Sequence, residues 1–178
     1  HLKAETRSYK KGDLICHAGE HTNALGIVLT GSVTIERDDI FGNRSVLDKV
    51  GPGQVFAETY ACVPNEPMLV NVAAAENCTV LFLKTAQILS PCAVNCRHHG
   101  KLIENLLLVS AQKNLSLSRR IFHTAPKTIR GRLISYLSFQ AIRENSDSFT
   151  IPFNRQQLAD YLSVDRSALS KEMGKMRD

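Results

Sequence analysis

Four polar side chains near the end of the sequence have the types and spacing to bind a polyanion: Arg166, Ser167, Ser170 and Lys171. Residues three and four apart share one face of a helix, so these four would form one exposed surface. A helix about 10 Å wide fits the major groove of DNA, where Arg, Lys and Ser donate to base edges and phosphates. The spacing favours a DNA-reading face over the alternative, an ordinary solvated helical hairpin.

A second helix must hold this face in place. Asp165 directly precedes the reading helix as its expected N-cap. The preceding helix is expected to begin at Asn154, which leaves Arg155 and Gln156 to hold phosphates beside the groove. The apolar positions of both segments are those that two steeply crossing helices bury: Leu158, Ala159 and Leu162 in the first, Val164 in the turn, and Leu169 and Met173 in the second.

The net charge of +5 is confined to the same part of the chain. Residues 1–118 hold 11 basic and 11 acidic side chains, whereas residues 119–178 hold 11 basic and 6 acidic ones. Only the second part therefore has a long-range field that attracts an anionic partner. No apolar run approaches the roughly 20 residues that span a bilayer, and we expect no membrane association.

The cysteines offer a weaker chemical signal. Five scattered cysteines do not resemble a disulfide framework and suit a reducing cytoplasm. Cys92 and Cys96, near His98 and His99, are spaced like soft metal ligands, but no second close pair accompanies them. Free cysteines are usually small buried hydrophobic residues. We therefore predict no metal site, with Cys92 and Cys96 as the weak candidates.

The front half of the chain has the pattern of many short strands. Short β-branched runs are separated by glycines, with Ile27 and Leu29 on one face before a turn at Gly31. Gly42-Asn43 between two such runs predicts a hairpin. A further strand would place three apolar side chains on one face: Cys78, Val80 and Phe82. This spacing is typical of a sandwich or jelly roll.

The pattern changes to helical spacing after Pro91. One long helix would align Ile103, Leu107, Leu117 and Ile121, with polar Ser110 and Asn114 between them on the same seam. Such a seam either pairs with its twin in a homodimer or packs on its own domain, and the spacing leaves both open. Pro126 is expected to open the next helix, whose apolar side would consist of Ile129, Leu133, Leu137 and Ile142.

In this order the segments resemble the Crp/Fnr family of bacterial transcription regulators over nearly the whole chain. The front half is similar to the family's cyclic-nucleotide-binding-like β-roll through KKGDLICHAGE, IVLTGSVTI, GNRSVLDKVGPGQVFAE and CTVLFL. The back is similar to its winged helix-turn-helix through FNRQQLADYLSVDRSALSKEM. The resemblance implies an α+β fold: an antiparallel β-roll (jelly roll) as effector or sensor domain over 1–97, a long dimerisation helix over 98–124, and a helix-turn-helix DNA-binding domain over 125–178.

The resemblance also implies a cytoplasmic homodimer that binds a palindromic promoter site in double-stranded DNA, with RNA polymerase as a further partner. Some positions depart from the family pattern. Ser167 and Lys171 stand where many relatives have Glu and Arg, so the family's best-known half-site is not expected. Ser163 stands at the usual turn glycine. The sequence ends at Asp178, before the β-hairpin wing.

The effector segment departs further. In cyclic-nucleotide-binding relatives it opens with Gly and Glu, here Gly53 and Glu58, and closes with an Arg-containing stretch that holds the phosphate. Met68, Leu69 and Val70 stand there instead, and an unpaired phosphate on an apolar wall is costly to desolvate. We therefore expect no cyclic AMP binding. An apolar or aromatic effector with a polar end would be lined by Phe56, Glu58, Tyr60, Met68 and Leu69, unless these residues are simply core.

The sequence therefore predicts an effector-responsive, DNA-binding transcription regulator. The alternative is a ligand-binding β-roll module whose helical end contacts protein instead of DNA. No nucleophile elbow, zinc-protease helix or phosphate loop is present, and we do not expect an enzyme.

Overall fold

The computed structural model describes residues 4–38, 44–63, 65–90 and 97–177. The chain divides into two compact units, His1–Ile103 and Glu104–Asp178. Helix α3, Arg97–Thr124, runs continuously from the first unit into the second. Within the described residues no helix is long and apolar enough to cross a membrane.

The first unit consists of two antiparallel four-stranded sheets and two short helices. In chain order its elements are β1 Glu5–Tyr9, β2 Leu14–Cys16, β3 Ala24–Thr30, β4 Val33–Asp38, β5 Arg44–Val50, β6 Val55–Phe56, α1 Glu58–Cys62, β7 Asn71–Ala74, β8 Cys78–Lys84 and α2 Thr85–Leu89. One sheet has the order β1-β8-β3-β6 and the other β2-β7-β4-β5. The predicted antiparallel roll is confirmed. The expected turn at Gly42-Asn43 lies outside the described residues, and the strands on either side of it pair antiparallel, with Asp38 opposite Arg44.

The core of the roll lies where strand alternation places apolar side chains inward. Val28, Val33, Val72 and Val80 are fully buried in it. Cys78 and Val80 are buried and Phe82 packs against them, as the alternation predicts. On β3, Leu25, Gly26 and Val28 are buried, whereas Leu29 is exposed.

Backbone and ring approach closely at one point in this core. A Cβ atom added to Gly26 would overlap the ring of Phe56, which is fully buried. Only glycine at this position lets β3 pass over the ring.

The second unit contains the larger part of α3, from Glu104 on, and three further helices, α4 Ile129–Glu144, α5 Arg155–Leu162 and α6 Arg166–Arg177. The single long helix predicted after Pro91 is confirmed over Arg97–Thr124. The core of the second unit combines α4, α5 and α6 through Leu133, Tyr136, Leu158, Ala159, Leu162 and Leu169. The helical pair predicted from the apolar spacing of residues 158–173 is therefore present.

Two details of α4 differ from the sequence-based expectation. α4 begins at Ile129 and not at Pro126, and Thr128 is its N-cap: the Thr128 Oγ1 atom accepts a hydrogen bond of 3.0 Å from the Gly131 amide. Ile142 is 80% exposed, because it follows Leu137 by five residues and so leaves the buried face. Residues 148–153 form no strand, and the chain bends at residues 152 and 153.

Candidate functional site

Both helices of the α5–α6 pair have well-formed caps. Asn154 and Gln157 form a reciprocal capping box at the start of α5, with both hydrogen bonds 2.9 Å long. At the start of α6, Asp165 Oδ1 accepts from the Ala168 amide at 2.9 Å and from the Ser167 hydroxyl. These bonds, the Ser167 one first, lower the pKa of Asp165. The predicted N-cap of the reading helix is present.

The turn between the helices contains a strained residue. Ser163, the C-cap of α5, has φ 53° and ψ 53°, which is the left-handed region. Glycine adopts this region without a steric penalty, whereas a side chain costs about 1 kcal/mol or more. The departure from the usual turn glycine therefore leaves the turn geometry intact at an energetic cost.

The outer face of α6 carries the predicted reading residues. Arg166, Ser167, Ser170 and Lys171 are all exposed, while Leu169 is fully buried on the opposite side. The structure thus places the four on one solvent-facing surface of the helix. The carboxylate of Glu172, the residue after Lys171, lies 3.8 Å from the Lys175 ammonium and 3.9 Å from the Arg130 guanidinium.

The two expected phosphate-holding residues on α5 are exposed but already have partners. Arg155 Nη1 lies 2.7 Å from the sulfur of Met173, and Gln156 Nε2 donates to Asp160 Oδ1 at 2.8 Å. A guanidinium has five N–H donors and a carboxamide two, so neither contact uses all the donors of its side chain. That these two residues hold phosphates stays a prediction.

Two arginines that the sequence did not single out bind the carboxyl end of α5. From α4, Arg132 Nη1 donates to the carbonyls of Leu162 at 3.0 Å and Ser163 at 2.9 Å. From α3, Arg120 donates to the carbonyls of Asp160 and Tyr161. The last carbonyls of a helix lack intrahelical partners and carry partial negative charge, so guanidinium groups suit them. We call Arg120 and Arg132 the α5 clamp.

An aromatic cluster lies beside the clamp. The imidazole of His123 is buried, and its ring centroid lies 5.3 Å from that of Phe139, 5.7 Å from that of Tyr136 and 6.0 Å from that of Tyr161. Its Nδ1 atom lies 3.1 Å from Ser135 Oγ. Burial, followed by the charge of Arg119, lowers the pKa of His123.

The five residues expected to line an effector pocket do not form one wall. Phe56 and Met68 are almost fully buried and belong to the core of the roll, against which Tyr60 packs. Glu58 is buried at the start of α1, whereas Leu69 is 66% exposed. Met68 and Leu69 both precede β7, which begins at Asn71, and only Met68 packs into the core of the roll. Phe56 and Met68 thus fit the alternative that these residues are core, and effector binding by the set stays a prediction.

A cleft of about 230 Å³ lies elsewhere in the first unit. Of the five expected residues only Met68 lines it, together with Phe82, Ile15 and Cys16 on the apolar side. Its rim carries charges of both signs: Glu5, Arg7, Glu20 and Lys84. Burial raises the pKa of the Cys16 thiol to about 11, so this thiol is protonated and unreactive at neutral pH.

Among the described residues, no group of three or more His, Cys, Asp and Glu side chains could hold a metal ion. Cys92 and Cys96 lie outside the described residues.

Residues 6–95 match the model of the cyclic nucleotide-binding domain, which is half of the chain. The chain belongs to the cyclic nucleotide-binding domain family. No curated protein matches the chain. The matched residues lie within the first unit. Ala57, the N-cap of α1, takes a left-handed φ of 59° directly before Glu58.

Solved structures resemble this family member beyond the roll. The OCPA complex of CprK covers 98% of this chain and 78% of its own, at 13% identity and a TM-score of 0.70. The c-di-GMP-responsive global regulator CLP from Xanthomonas campestris covers 98% and 86%, at 16% identity and 0.57. A transcriptional regulator from Thermotoga maritima covers 69% and 93%, at 20% identity and 0.56. At these identities the similarity establishes a shared fold, a β-sheet roll followed by helices, among proteins that include transcription regulators.

Proposed function

We propose that this protein is a DNA-binding transcription regulator of the Crp/Fnr type, and not an enzyme. The observation that carries the proposal is the capped α6 helix, which presents Arg166, Ser167, Ser170 and Lys171 to solvent on one face. The excess of basic residues after position 118 supplies the field that attracts DNA to this half of the chain. Arg166 and Lys171 would contact base edges or phosphates, and the two serines would accept or donate beside them.

The protein would act as a homodimer through α3, residues 98–124, and read two half-sites about one DNA turn apart. Leu107, Leu117 and Ile121 are more than half exposed in the single chain. Their positions continue a heptad seam through Ser110 and Asn114, and an Asn on such a seam favours one register of a paired coil at a cost in stability. A second copy of the chain is the partner that such a seam fits.

The roll would bind an effector other than cyclic AMP. Met68 stands where the phosphate-holding Arg of relatives lies, and its side chain is 2% exposed. Residues 53–74 include no Lys or Arg at all. A cyclic phosphate in this segment would meet an apolar wall and lose its hydration without gaining a countercharge. We expect calorimetry to detect no cyclic AMP binding at micromolar concentrations, and a micromolar dissociation constant would contradict this part of the proposal.

The DNA claim is tested by selecting duplexes from a random pool with the wild-type chain. Binding of the selected duplex is then compared with that of Arg166→Ala/Lys171→Ala over a series of salt concentrations. A base contact is worth about 1–3 kcal/mol, so the double variant should lose at least about 30-fold in affinity. Loss of phosphate contacts would also flatten the salt dependence by about one unit of slope for each contact.

Lys10→Ala/Lys11→Ala is the matched control, since it removes the same charge from exposed positions in the first unit. It should bind the selected duplex nearly as well as the wild type. If the control loses as much affinity as the α6 variant, net charge and not the α6 face drives binding. If the wild-type chain ignores DNA even at low salt, the helical end contacts protein instead.

A further inference from the structure

The carboxyl end of α5 determines where α6 begins. Only the C-cap Ser163, Val164 and the N-cap Asp165 separate the two helices. The Val164 amide donates to the Ala159 carbonyl at 3.0 Å and the Leu169 amide to the Asp165 carbonyl at 2.9 Å, so the connection is bonded at both ends. A displacement of the last turn of α5 must therefore displace the start of α6.

Arg120 binds that last turn from outside the α4–α6 core. Its Nη2 atom donates to the Asp160 carbonyl at 2.8 Å and its Nε atom to the Tyr161 carbonyl at 3.1 Å. The guanidinium carbon also lies 6.0 Å from the centroid of the Tyr161 ring. The planar guanidinium group thus makes two parallel donations and one ring contact, which a lysine cannot reproduce.

The two members of the α5 clamp differ in the helix that carries them. Arg132 is adjacent to Leu133 on α4, and Leu133 belongs to the core of α4, α5 and α6. Arg132 therefore holds the last turn of α5 to the core in which α5 is already packed. Arg120 lies in the last turns of α3, the helix whose first residues, up to Ile103, belong to the roll unit. A displacement of α3 at Arg120 would therefore also displace the end of α5, to which Arg120 is hydrogen-bonded.

We propose that Arg120 is a positioning residue, which holds the end of α5 to α3 and thereby sets the orientation of the α6 reading face. This inference rests on the proposed DNA-binding function. Arg120 itself need not touch DNA. Its removal should lower affinity for a specific site through a misplaced α6, while the number of phosphates neutralised stays the same.

The test compares Arg120→Ala, Arg120→Lys and Arg119→Ala in the full chain. Arg119 is a matched control, because it is the adjacent arginine on α3 and lies over the Phe139 ring at 5.4 Å. Two charge-assisted hydrogen bonds are lost in Arg120→Ala, and we expect affinity for the selected duplex to fall about ten-fold relative to Arg119→Ala. Arg120→Lys retains the charge and one donating nitrogen, so its affinity for the selected duplex should lie between those of Arg120→Ala and Arg119→Ala.

The salt dependence separates positioning from direct contact. If Arg120 held a phosphate, Arg120→Ala would flatten the salt slope by about one unit. A positioning role leaves the slope equal to that of Arg119→Ala and lowers the ratio of specific to non-specific affinity. A flattened slope, or affinity equal to that of Arg119→Ala, would overturn the proposal.

Amide hydrogen exchange tests the clamp without DNA. The Ser163 amide donates to the Asp160 carbonyl, which Arg120 also binds, and the Val164 amide donates to the neighbouring Ala159 carbonyl. Both should exchange several-fold faster in Arg120→Ala than in Arg119→Ala; equal rates would overturn the inference. A wild-type chain that selects no duplex refutes the DNA-binding function alone, and the exchange rates then decide whether Arg120 holds α5.

Discussion

Titration of His123 should make the stability of the helical unit depend on pH. The imidazole is 3% exposed and contacts rings from α4 and α5, and burial lowers its pKa below the usual 6.5. The charged and titratable groups nearby are Arg119, Arg120, Tyr136 and Tyr161, and none of these four offers a negative charge to the imidazolium at neutral pH. The folded protein therefore resists protonation here.

The sign of the effect follows from linkage. Near pH 6.5 the unfolded chain takes up a proton at His123, whereas the folded chain does so only at lower pH. The unfolded state thus binds more protons in this window, and the free energy of unfolding falls as the pH drops from about 6.5 towards the lowered pKa. A difference of one proton corresponds to a slope of at most about 1.4 kcal/mol per pH unit.

His123→Phe removes the titration and keeps a ring among the aromatic side chains. Urea unfolding between pH 5 and 7.5, followed by the amide signals of residues 129–177, should show a flatter pH dependence in His123→Phe than in the wild type. His21→Gln, in the roll, is the control and should leave the slope of the helical unit unchanged. Because slopes are compared, the pH-independent loss of the Ser135 contact does not disturb the test. Equal slopes for wild type and His123→Phe would refute the reasoning.

Three further predictions concern the turn, the roll and the seam. Ser163→Gly relieves a left-handed φ of 53° and should stabilise the helical unit by about 0.5–1 kcal/mol in urea unfolding, so a loss of stability would contradict the assigned geometry. Gly26→Ala forces a methyl group onto the Phe56 ring and should destabilise the roll by about 1–3 kcal/mol or more; unchanged unfolding would mean that the ring is mobile. Asn114→Leu should lower the dimer dissociation constant in sedimentation, whereas Gln112→Leu, off the seam, should not; equal effects would refute the seam.

Periodicity made most of the helical unit predictable. Burial of Leu158, Leu162 and Leu169 follows directly from spacing, because a helix repeats every 3.6 residues and apolar side chains must leave water. The exposed positions of Arg166 and Lys171 follow from the same argument. The prediction was wrong at Ile142, which follows Leu137 by five residues instead of four, so that its apolar side chain is exposed to solvent.

The site residues that depend on tertiary contacts could not be read from spacing. Arg120 and Arg132 bind backbone carbonyls, and a carbonyl has no sequence signature that would name it as a partner. Phe56 and Met68 were assigned to a pocket because their types suit a ligand wall, but the same types suit a core. Only the packing of the two sheets distinguishes these outcomes, and packing is not encoded in any local window.

The last turns of α3 have two faces, and this separation allows one helix to serve both proposed contacts. Arg120 and His123 are three residues apart and contact α4 or α5. Leu117 and Ile121 are four residues apart and remain exposed in the single chain. Since these pairs lie on different sides of the helix, a second copy packed on Leu117 and Ile121 need not displace Arg120 from the end of α5. A change in how two α3 helices pair would then reach each α6 through a contact that is already formed in the single chain.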